Sequence, residues 1–355
     1  MKKARLILMG TSMLALASCG GNGGTPAASS SASSAASSSA SSAASSSASS
    51  EVSSEASSAS SAEKDFVVGV SQWARHPALD AATNAFKAKL IEELGSHVTF
   101  IDGVANGDIS VAQLIVNNFI SNNVDLILAN ATPCLQIASY ATETIPVLGT
   151  SITDYGVALD MPVTEGVVGG NISGTSDLAP LDEQAAMIKE FFPDIQKVGL
   201  FYCSAEANSV FQVNSVASYL HEMNIQTEVF TFSDSNDISM VLSGALSACD
   251  ALYIPTDNTC ADNAELIGSY AIDAGKPVFA GEENICKGCG IATLSISYEK
   301  IGTITGEMAV EILRDGADIS EMAIRYDDSS VKKYNKEMCD ALGITDIPEG
   351  YIELE

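Results

Sequence analysis

From residue 64 onward the chain repeats one pattern. A short, unbroken apolar run stops at polar or glycine residues, and a longer stretch follows with apolar residues every three or four positions. Unbroken runs mark strands buried on both faces, and the longer spacing marks amphipathic helices. Phe66–Val70, Val98–Ile101, Asp125–Ala129 and Ile145–Gly149 are the first four strands expected, each followed by a helix. A glycine-rich extended segment, Gly166–Gly174, interrupts the pattern. It restarts with Lys197–Tyr202, Thr227–Phe232, Ala251–Ile254 and Pro277–Ala280. Gly290–Ile296 reads as a second extended crossover before an amphipathic helix, Tyr298–Leu313. Met322–Tyr326 reads as a third crossing, with a closing helix over Val331–Leu342. Alternating strands and helices predict an α/β fold of two doubly wound parallel-sheet lobes. Three crossings between two similar lobes describe a hinged clamshell. The expected N-terminal lobe is 64–176 plus 292–320, and the C-terminal lobe is 177–291 plus 321–355.

The first 63 residues follow other rules. Lys2, Lys3 and Arg5 precede an apolar core over Leu6–Leu16 and then small residues, the three parts of an export signal over residues 1–18. The core is too short for a spanning helix, which needs about 20 residues. It ends Leu16-Ala17-Ser18-Cys19, which resembles a bacterial lipobox. That resemblance implies cleavage before Cys19 and a lipid on the new terminal cysteine. Acyl chains hold a protein to a bilayer at about 0.8 kcal/mol per buried methylene. The expectation is an extracytoplasmic protein tied to the bacterial cell membrane through its N-terminal lipid only. Residues 19–63 carry the lipidated cysteine and then almost nothing but Gly, Ser and Ala. Such a segment buries too little apolar surface to offset ordering entropy, so a disordered linker with a reach of about 35 Å is expected.

Composition narrows the function. The formal net charge of −28 excludes a nucleic-acid binder, which needs a basic footprint. Seven cysteines remain after Cys19, and their spacing gives no disulfide framework. Cys286-Lys287-Gly288-Cys289 is a single CxxC in a chain with three histidines, so neither a metal site nor a cofactor is expected. No GxSxG, HExxH, P-loop or GxGxxG occurs, and the expectation is a protein that is not an enzyme.

In an open α/β sheet, ligands bind beyond the carboxyl ends of the parallel strands. The strand Ala251–Ile254 stops at Pro255 and then presents Thr256, Asp257, Asn258 and Thr259. A carboxylate there suits an ammonium group, and the neighbouring amide and hydroxyls suit a carboxylate or carbonyl. The alternative for Asp257 is the N-cap of the next helix. Ser71-Gln72 with His76-Pro77-Ala78-Leu79-Asp80, Ala131-Thr132-Pro133, Ile152-Thr153-Asp154, Gly174-Thr175-Ser176-Asp177 and Pro255–Thr259 occur in this order. Together they resemble the lipoprotein substrate-binding subunits of ABC importers, in the branch that includes tryptophan- and tyrosine-binding members. The resemblance covers nearly everything after the linker. It implies a type I periplasmic-binding-protein clamshell, an aromatic amino acid as ligand, and a cognate permease and its ATPase as partners. A monomer is expected. Alternatives are another small solute (a different amino acid, a nucleoside or a sugar) or a tethered sensor or adhesin without transport.

A zwitterion needs acceptors for its ammonium and donors for its carboxylate. Asp257 is the first acceptor expected, with Asp154 or Glu206 as a second. Thr132, Thr153, Ser204 and Asn208 are the donors expected, joined by Ser71, Gln72, Asp177 and Asn258 from the motifs. Trp73 is the single tryptophan and is placed to stack on an aromatic ligand. Arg75 is the one arginine in these loops, and His76 before Pro77 reads as a residue that fixes the turn.

Overall fold

The structure, a computed structural model, describes residues 64–354. The expectations for the signal, for Cys19 and for the linker lie outside the described residues. No helix among the described residues is long and apolar enough to cross a membrane.

The apolar runs form two sheets. The first contains β1 (Phe66–Gln72), β2 (Val98–Val104), β3 (Leu126–Asn130), β4 (Val147–Ile152) and β5 (Ile172–Ser176). The second contains β6 (Lys197–Cys203), β7 (Gln226–Phe232), β8 (Ala251–Ile254), β9 (Val278–Ala280) and β10 (Ala292–Ser295). The short strand β11 (Arg325–Tyr326) joins the first sheet, while β12 (Val331–Tyr334) and β13 (Ile352–Glu353) join the second. The orders are β11-β5-β4-β3-β1-β2 and β13-β12-β10-β9-β8-β6-β7. Every pairing is parallel except β10 with β12. Each lobe therefore winds outward in both directions from its first strand. This puts a topological switch point between β1 and β3 in one lobe and between β6 and β8 in the other.

Helices cover both faces of each sheet, as the buried strands require. α1 (Pro77–Leu94), α2 (Ile109–Ser121), α3 (Thr132–Ala141) and α4 (Tyr155–Leu159) belong to the first lobe. α5 (Leu181–Phe191), α6 (Ala207–Glu222), α7 (Ile238–Ala248), α8 (Asn258–Asp262), α9 (Ala264–Ala274) and α10 (Glu283–Cys289) belong to the second. The chain then returns so that α11 (Tyr298–Leu313) packs along α1, and α12 (Lys336–Ala341) closes the second lobe. In the first lobe, Phe119, Ile127 and Leu135 pack on one face of the sheet, and Phe86, Leu128 and Met308 on the other. In the second, Met187, Val216 and Phe279 pack on one face, and Leu242, Leu252 and Ile267 on the other. The α1–α11 contact is close because Gly302 lies against the Ala82 backbone, where any Cβ would collide.

Three details differ from the sequence expectation. Ala292–Ser295 is a strand of the second sheet, bonded between β9 and β12, so the chain returns to the first lobe only after Ser295. Arg325–Tyr326 pairs with β5 in the first sheet, so the last passage follows Tyr326 instead of falling near residue 321. Val331–Leu342 is not one helix. Val331–Tyr334 pairs antiparallel with β10, and Asn335 then starts α12 by accepting from the Met338 N–H while its amide donates to the Cys286 and Lys287 carbonyls. The ladder satisfies backbone groups that a helix begun at Val331 would have taken for itself.

Candidate functional site

The carboxyl ends of both sets of strands face one interlobe cleft, as the two switch points dictate. The cleft holds two adjoining cavities that share Asn258. The inner one is about 10 Å³, room for one water-sized group. The outer one is about 690 Å³, the size of a small-molecule site. The lobes meet across the inner cavity. His76 Nε2 lies 3.3 Å from Asn258 Oδ1, and Gln212 Nε2 lies 3.5 Å from Thr153 Oγ1. Both contacts join opposite lobes, so they belong to a closed cleft.

The first lobe brings His76, Leu79, Thr132, Ser151 and Thr153 to the inner cavity, and the second brings Asn208, Thr256, Asp257, Asn258 and Glu282. Asp177 and Tyr298 enter from the crossings. The backbone is strained where the first lobe contributes. Ala131, before Thr132, has φ 83° and ψ 154°, a conformation that glycine normally takes, and Ser151 has φ 56°. The Ser151 strain coincides with a shift of register between β4 and β5. Such strain persists only where packing enforces it, and strained residues cluster at ligand sites.

The carboxylates of the cleft divide by their partners. Asp257 caps α8: Oδ1 accepts from the Cys260 N–H at 2.8 Å, and Oδ2 accepts from the Cys203 N–H at 2.8 Å and the Ser209 hydroxyl at 2.7 Å. Three protein donors hold it, so the N-cap reading describes its geometry, although the residue lines the cavity. Glu206 is likewise held by Asn258 and Thr259, accepting from both backbone N–H groups and both side chains. Glu282 caps α10 through the Asn284 and Ile285 N–H groups. Asp177 has only hydroxyl partners among side chains, Thr153 at 3.0 Å and Tyr298 at 3.1 Å. Burial pushes the Asp177 carboxyl up to about 6 against those two hydrogen bonds. Burial also raises Asp257, with the Glu206 charge adding to it, and raises Glu282 against the opposing influence of His76. Neither cavity is lined by a lysine or arginine.

Several buried polar atoms of the inner cavity have no hydrogen-bond partner: His76 Nδ1, Asn208 Oδ1 and Ser151 Oγ. The first two can be typed. Asn258 Nδ2 donates to Glu206 Oε2 at 2.7 Å, so Asn258 Oδ1 faces His76, and His76 Nε2 is the donor between them. That leaves Nδ1 as an acceptor in the neutral ring and as a donor in the imidazolium, the form whose charge opposes the rise of Glu282. Asn208 Nδ2 donates to the Thr256 carbonyl at 2.9 Å and to Glu206, which leaves Oδ1 as an acceptor too.

The outer cavity has an unlike pair of walls. Trp73, Ile109, Ile137 and Tyr140 of the first lobe make an apolar side, and Glu206, Asp234 and Asp262 of the second make an acidic one.

Of the residues expected from sequence, Thr132, Thr153, Asp177, Asn208, Asp257 and Asn258 come together at the inner cavity, and Trp73, Glu206 and Asn258 at the outer. Four do not join them. Ser71 is fully buried with its hydroxyl on Cys134, and Gln72 bonds inward to Ala74, Asp80 and Thr83. Asp154 caps α4 through the Val157 N–H and lines a separate groove with Tyr326, and Ser204 turns its hydroxyl to the Phe232 carbonyl. Arg75 is exposed and lines neither cavity. His76, Ser151, Glu282 and Tyr298 line the cavity without having been singled out as ligand contacts. His76 carried a signal, since a histidine between a strand end and a helix-starting proline sits where a switch-point ligand lies.

The two-lobed cleft is that of a solute receptor, and the comparisons agree. The family of ABC transporter substrate binding proteins matches over residues 67–350, and the chain belongs to it. That family consists of extracytoplasmic solute-binding proteins and is not an enzyme family; it implies a small-molecule ligand and an ABC permease as partner. The chain is 31% identical over 291 residues to a tyrosine-binding protein of Clostridioides difficile (strain R20291), covering 79% of this chain and 82% of that one. It superimposes on a Streptococcus pneumonia ABC domain in complex with L-Trp with TM-score 0.77 at 27% identity, covering 81% of this chain and all of that one. It superimposes on the ligand-free, open form of a Clostridium difficile substrate binding protein with adhesive properties with TM-score 0.63 at 31% identity, covering 82% of this chain and all of that one. The better overlay is on the ligand complex despite its lower identity, in keeping with the cross-lobe contacts above.

Proposed function

We propose that this chain is the receptor of an importer that captures an aromatic amino acid between its lobes and delivers it to the permease. The observation that carries the reading is the pairing of the two cavities. A polar inner site with unpartnered acceptors takes the ligand's head, and an outer site with Trp73, Ile137 and Tyr140 on one wall takes a ring. Stacking against such a wall contributes about 0.5–1.5 kcal/mol beyond area burial. Ligands named for relatives, tyrosine and L-Trp, fit that division. In this reading Cys19 carries the lipid, residues 19–63 are the tether, and the receptor acts as a monomer.

The test is a thermal-shift screen of the full chain in detergent, after unfolding and refolding to strip carried-over ligand. The panel contains amino acids, nucleosides and common sugars. A ligand at 100 times its dissociation constant adds about 2.7 kcal/mol of stability. The expected result is a rise with tyrosine, tryptophan or phenylalanine and none with sugars or nucleosides. A rise confined to another class would remove the aromatic amino acid.

A further inference from the structure

We propose that Gln212 of α6 is the latch that holds the lobes closed, a positioning residue that sets the affinity for every solute of the cleft without touching one. It acts through Thr153 on Asp177 in the first crossing. The inference needs only a solute-binding cleft and is independent of which solute fills it.

The His76 and Gln212 contacts both join the lobes, and they differ in kind. His76 and Asn258 line the inner cavity, so a ligand can reach their contact. Gln212 lines neither cavity; it is buried on α6, which packs across the lobe boundary on α4. Its orientation is fixed within its own lobe. Gln212 Oε1 accepts from the Thr256 N–H at 3.1 Å, which turns Nε2 toward the Asn208 carbonyl at 3.2 Å and the Thr256 carbonyl at 3.4 Å. The same Nε2 reaches Thr153 Oγ1 of the first lobe at 3.5 Å.

Thr153 is set to receive it. Its one hydroxyl proton goes to Asp177 Oδ1 at 3.0 Å, so its oxygen is left to accept. The Ser176 hydroxyl holds the Thr153 carbonyl from behind at 2.9 Å, and Asp177 Oδ2 takes the Tyr298 hydroxyl at 3.1 Å. A run of matched donors and acceptors thus leads from α6, through the end of β4, to the first crossing and the start of α11. Opening the lobes breaks it between Gln212 and Thr153, because the bonds on either side stay within one lobe and its crossings. A contact made only in the closed form adds to closure and not to the encounter with ligand. One neutral hydrogen bond of this kind shifts the closed-to-open ratio about three- to tenfold. Apparent affinity changes by that factor for all ligands alike, and the change falls in the dissociation rate.

The experiment uses the full chain in detergent with Gln212→Met, which keeps bulk and loses the amide, Thr153→Val, which keeps shape and loses the hydroxyl, and the double variant. Spin labels at Leu114→Cys and Met240→Cys, exposed on opposite lobes, report the interlobe distance, since the cysteines among the described residues are buried. Titration with L-tyrosine, L-tryptophan and L-phenylalanine reports affinity and, in stopped flow, the rates. Each single variant is expected to lower the closed-to-open ratio about three- to tenfold, and Gln212→Met to cost nothing further once the Thr153 hydroxyl is gone. Gln212→Met is also expected to weaken every amino acid that binds by one common factor, at an unchanged association rate. An equal cost of Gln212→Met with and without the Thr153 hydroxyl would overturn the inference and make Gln212 a support of the Thr256 loop. A loss that differs between ligands would overturn it too, by placing the amide on the ligand. If no aromatic amino acid binds, the aromatic reading falls and the labels alone decide the latch: a shifted distance distribution in the variants upholds it, and an unchanged one removes it.

Discussion

At the residue scale, Asp257 shows how a carboxylate at a strand end serves the fold before it serves a ligand. Its oxygens take the Cys203 N–H, the Cys260 N–H and the Ser209 hydroxyl, all buried. Asp257→Ala therefore leaves three donors without an acceptor and removes the cap of α8. The expected loss is about 3 kcal/mol of stability or more, read from urea unfolding. Asp257→Asn keeps one acceptor and the shape, and is expected to cost less than half as much. If Asp257→Ala unfolds at the wild-type midpoint and loses only ligand affinity, the capping role is wrong and the residue acts on the ligand directly. From sequence the two roles were indistinguishable, because an Asp three residues beyond a buried strand satisfies both. What separates them is whether other donors arrive, and Cys203 of β6 and Ser209 of α6 come from 54 and 48 residues away in sequence. The same limit explains Ser71 and Gln72. They end β1 as expected, but α1 starts only at Pro77, so the loop carries His76 to the inner cavity while Gln72 turns back to anchor Thr83.

At the element scale, the unbroken apolar runs made the strands of both doubly wound cores legible. Period alone left the edges open. Val331–Tyr334 carries two lysines and reads as helix or strand until its partner is known; β10 decides it, and Lys332 and Lys333 then reach Glu190 and Glu283. Extended crossovers and edge strands likewise have the same local pattern, which is why Ala292–Ser295 reads as hinge and is sheet. The glycine-rich segment before the first crossing has a more specific task. Gly174 lies in β5 with φ 144°, and a Cβ there would run into the Gly149 carbonyl and the Tyr155 hydroxyl. That hydroxyl lies 3.1 Å from both the Gly149 and Thr175 carbonyls and shares its one proton between them, holding the bulged ends of β4 and β5 that present Ser151 and Thr153. Gly174→Ala must displace Tyr155 or the strand itself. We expect it to cost about 3 kcal/mol and to weaken ligand binding further, since the displaced backbone carries cavity residues. A variant with wild-type melting temperature and affinity would show that the bulge accommodates a methyl group.

At the scale of the whole molecule, the three crossings are tied together by two buried carboxylates. Asp177, after β5, takes the Tyr298 hydroxyl at the start of α11, and Asp327, after β11, takes the Ser297 N–H and the Lys300 ammonium. The hinge and the ligand cavity thus share Asp177. Its folded-state carboxyl is raised to about 6 from an ordinary value of 3.8. The folded chain therefore favours the protonated form. The stability this contributes is fully present below about pH 4 and is lost as pH rises through about 6, amounting to about 2–3 kcal/mol. Asp257 and Glu282 are raised in the same direction and sharpen the effect. A ligand ammonium reverses it, because a cation beside the carboxylate favours the charged form. The stabilisation given by a saturating aromatic amino acid is accordingly expected to grow between pH 4.5 and 7.5. Surface carboxylates held low by their partners, such as Glu93 and Asp315, titrate in the opposite sense. Asp177→Asn isolates the term: without ligand, wild type should lose stability relative to the variant as pH rises, and the variant's ligand-induced shift should vary less with pH. Parallel melting curves for the two proteins across this range would separate the hinge carboxylate from the ligand and leave closure to the lobe contacts alone.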